Sequence, residues 1–157
     1  MLVEILVVLL LISVLAAVIL PSGLAFYRRA AVEYEAMRLI GELRRIQAVS
    51  RTTARPLYIL GPIRGGERAP ALYVYTDGYE IRRPVKGRVR TYHALPLVRM
   101  RREGHTDRPA AFDWNGGIAW DKSSNMTICV YAEGHEAEGL RVVIDGAARI
   151  RLQRGTP

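Results

Sequence analysis

The sequence predicts an α+β fold in which one long N-terminal helix packs on an antiparallel β-sheet domain. Three observations predict it. Residues 1–20 are almost wholly apolar, residues 24–50 carry apolar side chains at helical spacing, and the residues after Pro56 alternate with a period of two. The predicted segments are a transmembrane segment at 1–23, the amphipathic half of the helix at 24–55 and the β domain at 56–157.

The first segment is long enough to cross a membrane as a helix. At about 1.5 Å per residue, 20 helical residues span about 30 Å, the thickness of a bilayer's hydrocarbon core. A signal peptide would have a basic n-region and a shorter apolar core, and neither is present. A plain single-span anchor would be equally apolar, so hydrophobicity alone does not decide between kinds of membrane protein.

Glu4 is a carboxylate close to one end of this apolar run. An ionised, unpaired carboxylate within hydrocarbon costs about 3 kcal/mol on insertion scales, so an acid at such a site usually marks a function. Two interpretations stay open. Either Glu4 pairs with an α-ammonium group, its own or a neighbour's, or it lies at headgroup depth because it is close to the start of the chain.

The second half of the helix is predicted from a stripe of apolar residues. The stripe comprises Val32, Ala36, Leu39, Leu43 and Ile46, flanked by Ile40 and Val49. Charged residues fall mostly off the stripe, so one helix is expected to continue from the membrane to about Ser50. Pro21 is predicted to kink it, because proline removes a backbone donor and clashes with the preceding turn.

A series of short β-rich runs follows Pro56. The predicted strands are Leu57–Leu60, Ala71–Tyr75, Tyr79–Arg82, Val89–Ala94, Ala111–Trp114, Ile118–Trp120, Met126–Tyr131, Leu140–Ile144 and Ala148–Leu152. Asp77-Gly78, Asn115-Gly116 and Asp145-Gly146 predict tight hairpin turns, in which both central residues need positive φ. Residues 61–70 and 99–110 are rich in Gly, Pro and Arg and are predicted to be loops.

Charge and cysteine content limit the partners and the chemistry. The formal net charge is +8, from 23 basic and 15 acidic residues. Such a surplus indicates anionic partners, such as nucleic acid or lipid, and does not indicate a fold. Cys129 is the single cysteine, so no intrachain disulfide is expected. Its place in the apolar run Met126–Tyr131 favours a small buried side chain over a reactive thiol.

Catalytic and metal-binding motifs are missing from the sequence. The histidines stand apart, at His93, His105 and His135, without HExxH or Cys-His metal spacing. There is no G-x-S-x-G motif and no Gly-rich phosphate loop with a lysine. Asp113 and Asp121 flank a predicted hairpin, where turn capping is expected rather than acid–base chemistry. The sequence therefore predicts a protein that is not an enzyme and takes no cofactor or metal.

The opening run Leu2-Val3-Glu4-Ile5-Leu6-Val7-Val8-Leu9-Leu10 closely resembles the mature N-terminus of type IV pilins and type II secretion pseudopilins. Those proteins begin with a Phe-Thr-Leu-hydrophobic-Glu pattern. Glu4 matches the family's glutamate and Pro21 matches its helix-kinking proline. The family's acid is usually the fifth mature residue and the Phe-Thr pair is here replaced by Met1, so we expect a chain start that lies inside the motif.

The C-terminal half is similar to the GspH/FimT-type pilin domain. That domain has a phenylalanine-rich strand entering a Gly turn, and it ends in a hydrophobic strand, a Gly turn and an Arg-bearing strand. The matching segments are residues 111–117, residues 126–131 and residues 140–152. The helix segment Leu39–Arg51 and the following Thr53–Ile59 are also similar to that group.

The resemblance implies a minor pilin or pseudopilin, a structural subunit of a type IV pilus or a type II secretion pseudopilus. Such subunits cross the cytoplasmic membrane once, keep the globular domain outside the cytosol and assemble into a helical filament. The implied partners are other pilin or pseudopilin subunits, an inner-membrane assembly platform, a prepilin peptidase acting on the precursor, and the lipid bilayer. Glu4 would set subunit register by pairing with a neighbour's α-ammonium group. Met1 would be the N-methylation site if it is the mature terminus.

Two alternatives are kept. Some FimT-like minor pilins bind DNA through arginines near the C-terminus during natural transformation, and the resemblance implies the same alternative here. The candidate DNA-binding residues are Arg149, Arg151, Arg154, Arg99, Arg101 and Arg102. A solvated basic face, or contacts with acidic partners or lipid headgroups, would account for the same arginines. The second alternative is a single-span membrane protein with an unrelated extracytoplasmic β domain.

Overall fold

The computed structural model describes residues 2–53, 70–83, 88–104, 108–120 and 123–155. Helix α1 spans Leu2–Thr53. At about 1.5 Å per residue it is about 78 Å long. The apolar first half projects away from the β-sheets, with exposed fractions from 49% at Val7 to 74% at Leu2. The predicted long helix is confirmed, and it ends three residues after the expected Ser50.

The strands of the described residues form two antiparallel sheets. Their bounds are β1 (Ala71–Tyr75), β2 (Gly78–Arg83), β3 (Arg88–His93), β4 (Val98–Glu103), β5 (Ala110–Ala111), β6 (Met126–Ala132), β7 (His135–Ile144) and β8 (Ile150–Arg154). The first sheet has the order β3-β2-β1-β5 and the second has the order β4-β6-β7-β8. The fold is therefore α+β, as predicted.

The core lies between the second half of α1 and the inner faces of both sheets. The helix contributes Ala31, Val32, Ala36, Leu39, Ile40, Leu43 and Ile46, all buried. The first sheet contributes Leu72 and Ile81, and the second contributes Val98, Ile128 and Val142. The apolar stripe predicted from the sequence is thus the buried face of the helix, and each large aliphatic side chain there contributes about 1.5–3 kcal/mol by burial.

The prediction of a loop over residues 99–110 is wrong for its first part, where β4 runs from Val98 to Glu103. Val98 and Met100 are buried in the core, and Arg99 and Arg101 alternate with them on the outer face. Arg102 continues the inner face, where it is half-buried and pairs across the strands with Ile128. The strand therefore does alternate with a period of two. The arginines concealed it, because only two of its residues are apolar.

The predicted strands at Ala111–Trp114 and Ile118–Trp120 are much shorter in the structure. Strand β5 holds only Ala110–Ala111, and a single bridge joins Phe112 to Ile118. The predicted strand Leu57–Leu60 lies outside the described residues. Strand β7, by contrast, is longer than predicted. It begins at His135, five residues before the expected Leu140, because its backbone pairs with β6 immediately after the intervening turn.

The three glycine dipeptides all mark turns, but the turns differ in detail from the prediction. The β1–β2 turn consists of Thr76 and Asp77, since Tyr75 pairs with Gly78. Gly78 has a φ of 152°, and a Cβ atom there would collide with the carbonyl oxygen of Tyr92. Gly116 has a φ of 83° within a turn closed by a bond from its N–H to the Asp113 carbonyl.

The predicted two-residue turn at Asp145-Gly146 is a five-residue connection, residues 145–149, because Ile144 pairs with Ile150. The positive φ falls on Ala148, at 59°. The Asp145 side chain accepts bonds from the backbone N–H groups of Ala147 and Arg149, which holds the loop in this wider form. Strand β8 consequently starts two residues after the predicted Ala148.

Candidate functional site

The apolar half of α1 is exposed on all sides. One stretch of the helix is long and apolar enough to cross a membrane, and none of that stretch is buried within the protein. Exposed apolar surface costs about 25 cal/mol per Å² in water, so a surface this large requires a bilayer or other apolar helices around it. The structure is therefore consistent with membrane anchoring through residues 2–20.

Glu4 lies in the first turn of this half and is exposed, as are Val3 and Ile5 beside it. The free N–H groups and the dipole at a helix N-terminus favour a carboxylate at that position. The position makes the carboxylate accessible to a neighbouring chain. Its pairing with a neighbour's α-ammonium group stays a prediction, and Met1, the predicted methylation site, lies outside the described residues.

Pro21 lies inside α1, and the helix continues through it to Thr53. Proline has no N–H to donate to the carbonyl one turn earlier, so the helix lacks one backbone hydrogen bond at this point. Next to it, the hydroxyl of Ser22 donates to the Ile19 carbonyl at 3.0 Å. The kink expected at Pro21 stays a prediction.

The second half of α1 carries an apolar stripe on the face opposite the core. This outer stripe comprises Tyr27, Ala30, Tyr34, Met37 and Gly41, which follow one another at helical spacing. Its larger side chains are 50%, 59% and 57% exposed, for Tyr27, Tyr34 and Met37 respectively. Because it begins soon after the apolar half ends, the helix presents one continuous apolar surface over most of its length.

A cleft of about 570 Å³ lies at the C-terminal end of α1. We call it the basic cleft, and its lining comprises Arg44, Gln47, Arg51, Asn115, Gly116, Gly117, Ala147, Ala148, Arg149 and Ile150. Among the described residues, this lining has three guanidinium groups and no carboxylate, and the guanidinium group of Arg149 pairs with Asp145 beside the cleft. The amide of Gln47 donates to the carbonyl oxygens of Gly116 and Ala148, at 2.7 and 3.1 Å, and thereby joins two loops to the helix.

The six arginines predicted to bind DNA are not brought together. Arg99, Arg101 and Arg102 lie on β4, and Arg151 and Arg154 lie on β8, at the opposite edge of the second sheet. Several are paired with acids: Arg99 with Glu133 at 2.8 Å, Arg101 with Glu136 at 3.8 Å, and Arg154 with Glu33 of the helix at 3.8 Å. DNA binding by these residues stays a prediction.

Two of the predicted arginines, Arg149 and Arg151, share one carboxylate. Their side chains donate to Asp145 at 2.7 and 2.6 Å. The backbone N–H of Arg149, together with these side chains and the N–H of Ala147, lowers the pKa of Asp145 to about 2. The β7–β8 loop is thus fixed by a carboxylate that stays ionised at neutral pH.

Glu35 is a buried acid that the helical pattern did not single out. It is 1% exposed, and its Oε1 accepts the backbone N–H of Leu95 at 3.2 Å and lies 3.6 Å from Arg38. Glu35 therefore holds the loop between β3 and β4 against the helix.

Tyr79 is also buried in the core. Its ring stacks on Tyr92 with 5.1 Å between the ring centroids, and burial raises the pKa of Tyr79 to about 12.

Cys129 is buried as predicted, but on the outer face of the second sheet. Its thiol donates to Glu103 at 3.0 Å, and Glu103 also pairs with Arg141. Burial and the neighbouring Glu103 carboxylate raise the pKa of Cys129 to about 11, so the thiolate is scarce at neutral pH. Among the described residues, no group of three or more His, Cys, Asp and Glu side chains is arranged to hold a metal ion.

Neither a protein-family model nor a curated protein matches the sequence. Two crystal forms of the type IV minor pilin FimU from Pseudomonas aeruginosa strain PAO1 match the structure. One gives a TM-score of 0.55 over 77% of this chain and 91% of FimU, and the other gives 0.57 over 80% and 90%. Sequence identity is 15% in both, so the likeness is one of fold.

Proposed function

We propose that this chain, which has the fold of a type IV minor pilin, is a structural subunit of a pilin-like filament: a minor pilin of a type IV pilus or a pseudopilin of a type II secretion pseudopilus. It would cross the cytoplasmic membrane once, with the β domain outside the cytosol. One observation carries the proposal: the apolar surface of α1 is exposed along the anchoring half and continues as the outer stripe on the domain half.

The outer stripe favours a filament subunit over a domain that is merely anchored in the membrane. An anchor needs apolar surface only within the bilayer, but Tyr34 and Met37 lie on the part of the helix that packs on the sheets. Exposed apolar side chains in such a row are typical of a surface that another protein covers. The fold shared with FimU supports the same choice over an unrelated β domain.

Transfer of the apolar half from the bilayer into a bundle of helices in the filament would need little driving force. Lipid tails and apolar side chains are similar environments, so a helix that is stable in a bilayer is equally satisfied among other helices. Register must come from polar groups, and Glu4 is the carboxylate placed in that half. Pairing with a neighbour's α-ammonium group would penalise any register that leaves the charge alone in an apolar environment.

The proposal includes the partners implied by the resemblance. These are other pilin or pseudopilin subunits, an inner-membrane assembly platform and a prepilin peptidase that acts on the precursor. N-methylation would follow at the mature terminus. Assembly with other subunits is the part that the shared fold supports directly.

Glu4→Ala tests the proposal. The variant is expected to enter the membrane normally, because it removes a charge from an apolar helix, and to be absent from filaments, because the register contact is lost. Membrane extraction and sheared filament fractions are compared by immunoblotting.

Ser13→Ala is the matched control in the same half of the helix, since Ser13 only bonds the Leu10 carbonyl one turn earlier. It should insert and assemble like the unmodified chain. Filaments that contain Glu4→Ala at the normal level would refute the role of Glu4.

A further inference from the structure

We propose that the basic cleft binds a pair of carboxylates on an acidic segment of a partner subunit. Arg44 and Arg51 lie seven residues apart on one face of α1, about 10 Å from each other along the axis. Neither has a carboxylate partner among the described residues. Arg149 lines the cleft opposite them, on the β7–β8 loop, where its side chain is held by Asp145. A guanidinium group binds a carboxylate through two parallel N–H donors, so this spacing suits two acidic side chains.

The walls of the cleft are fixed before any ligand arrives. Gln47 bonds to the loops that carry Gly116 and Ala148, and the side chain of Asn115 accepts the N–H of Gly117 at 2.7 Å. A Cβ atom at Gly116 would collide with the Arg51 side chain, so this glycine leaves room for the guanidinium group. The backbone of the cleft therefore needs little ordering on binding, which is the usual advantage of a preorganised site.

The charges favour an acidic peptide over a nucleic acid. A phosphate backbone is bound by a succession of basic groups, each releasing counterions. On the outer face of the second sheet, however, carboxylates accompany the arginines: Glu133 pairs with Arg99, and Glu136 with Arg101. In the cleft Arg149 pairs with Asp145, whereas Arg44 and Arg51 have no carboxylate partner among the described residues, so the cleft matches a short ligand with few charges.

The position of the cleft favours a protein partner over lipid. Arg44 follows Leu20, the end of the apolar run, by 24 residues, and at about 1.5 Å per helical residue this places it about 36 Å further along the axis. Lipid headgroups do not extend so far from the hydrocarbon. The identity of the partner as another subunit rests on the proposed function, whereas the binding of carboxylates does not.

The test uses the full chain in neutral detergent and a fluorescein-labelled hexaglutamate peptide, with hexaglutamine as the uncharged reference. Fluorescence anisotropy at low ionic strength measures the affinity. The double variant R44Q/R51Q should bind hexaglutamate about tenfold more weakly or worse, since two charge-assisted contacts are lost. Ala147→Glu, at an exposed lining position, should weaken binding similarly by placing a competing carboxylate in the cleft.

R82Q/R90Q is the matched control, because it removes two positive charges from exposed positions on the first sheet. It should leave the affinity within about twofold of the unmodified chain, as expected for distant exposed charges. Equal weakening by the two double variants would overturn the inference. The inference would also be overturned if a single-stranded oligonucleotide bound more tightly than the peptide and R44Q/R51Q abolished that binding. A chain that assembles into filaments yet does not bind hexaglutamate overturns only this inference and leaves the proposed function standing.

Discussion

At the scale of single residues, charges in this protein are positioned by short local networks. Asp145 accepts four hydrogen bonds, three from its own loop and one from Arg151 on β8. Glu103 lies between Cys129 and Arg141 on the outer face of the second sheet. Glu35 is the buried counterpart, where one carboxylate oxygen bonds the backbone of Leu95. The Asp145 and Glu35 networks hold loops in place, and the Glu103 network adds side-chain bonds across strands that already pair.

The Asp145 network predicts how stability depends on pH. The folded pKa of Asp145 is lowered from 3.8 to about 2, so its contribution is fully present above the unfolded value. That contribution is lost as the pH falls from about 4 to about 2, because the unfolded chain then binds the proton first. We expect the unfolding midpoint of the β domain to drop over this range.

Asp145→Asn keeps the shape of the side chain and removes the charge. The variant should be less stable than the unmodified chain at neutral pH, and the difference should shrink between about pH 4 and pH 2. Thermal melts by circular dichroism in detergent measure both. A difference that stays constant over this range would contradict the assigned role of the carboxylate.

At the scale of the elements, the two faces of the domain half of α1 have different tasks. Leu43 is fully buried against the sheets, whereas Met37 on the outer stripe is 57% exposed. The inner face holds the domain together, and the outer stripe is exposed, which under the proposed function leaves it for other subunits to cover. The contrast can be measured on one helix with two substitutions.

Leu43→Ala should destabilise the β domain by about 2–5 kcal/mol, because it leaves a cavity in the core. Met37→Ala should change stability by no more than about 0.5 kcal/mol, as exposed substitutions usually do. Chemical denaturation of the full chain in detergent gives both values. A large loss of stability in Met37→Ala would show that the outer stripe packs within the chain itself.

The elements also show how far sequence reasoning reached. The long helix and its buried stripe were predictable because the apolar spacing of Val32, Leu39 and Ile46 is strictly helical. Strand β4 was missed because arginines occupy half its positions. The length of the Asp145 loop was predicted wrongly because hydrogen bonds to the Asp145 side chain, and not the glycine, determine it. Local pattern predicts an element well only where burial alone shapes it.

Some candidate sites could also be recognised from the sequence, and others became visible only in the fold. Glu4 was recognisable because an acid in an apolar run is conspicuous. The basic cleft was not, since Arg44 and Arg149 are more than a hundred residues apart and meet only through the packing of α1 on the β7–β8 loop. The burial of Glu35 was also unpredictable, because a charged residue on a helix is usually solvated and only the fold places Leu95 above it.

At the scale of the whole molecule, α1 is a core element of the β domain, and under the proposed function it would also serve as membrane anchor and assembly surface. The apolar half and the outer stripe together form one surface that runs past the membrane boundary at about residue 20. The β-sheets cover only the inner face of the domain half. Under the proposed function, assembly through helices would cover the part of this surface that lies beyond the bilayer.

Photo-crosslinking from the outer stripe is the most direct test of whether this stripe contacts other subunits. A photoreactive phenylalanine analogue at Tyr34, 59% exposed, should capture another subunit that carries an apolar N-terminal helix, in cells that hold the assembly machinery. The same analogue at the buried Tyr79 should yield no product with another chain. If Tyr34 captured no other chain in cells that assemble filaments, or captured as much with the machinery deleted, the account of α1 as an assembly surface would be contradicted.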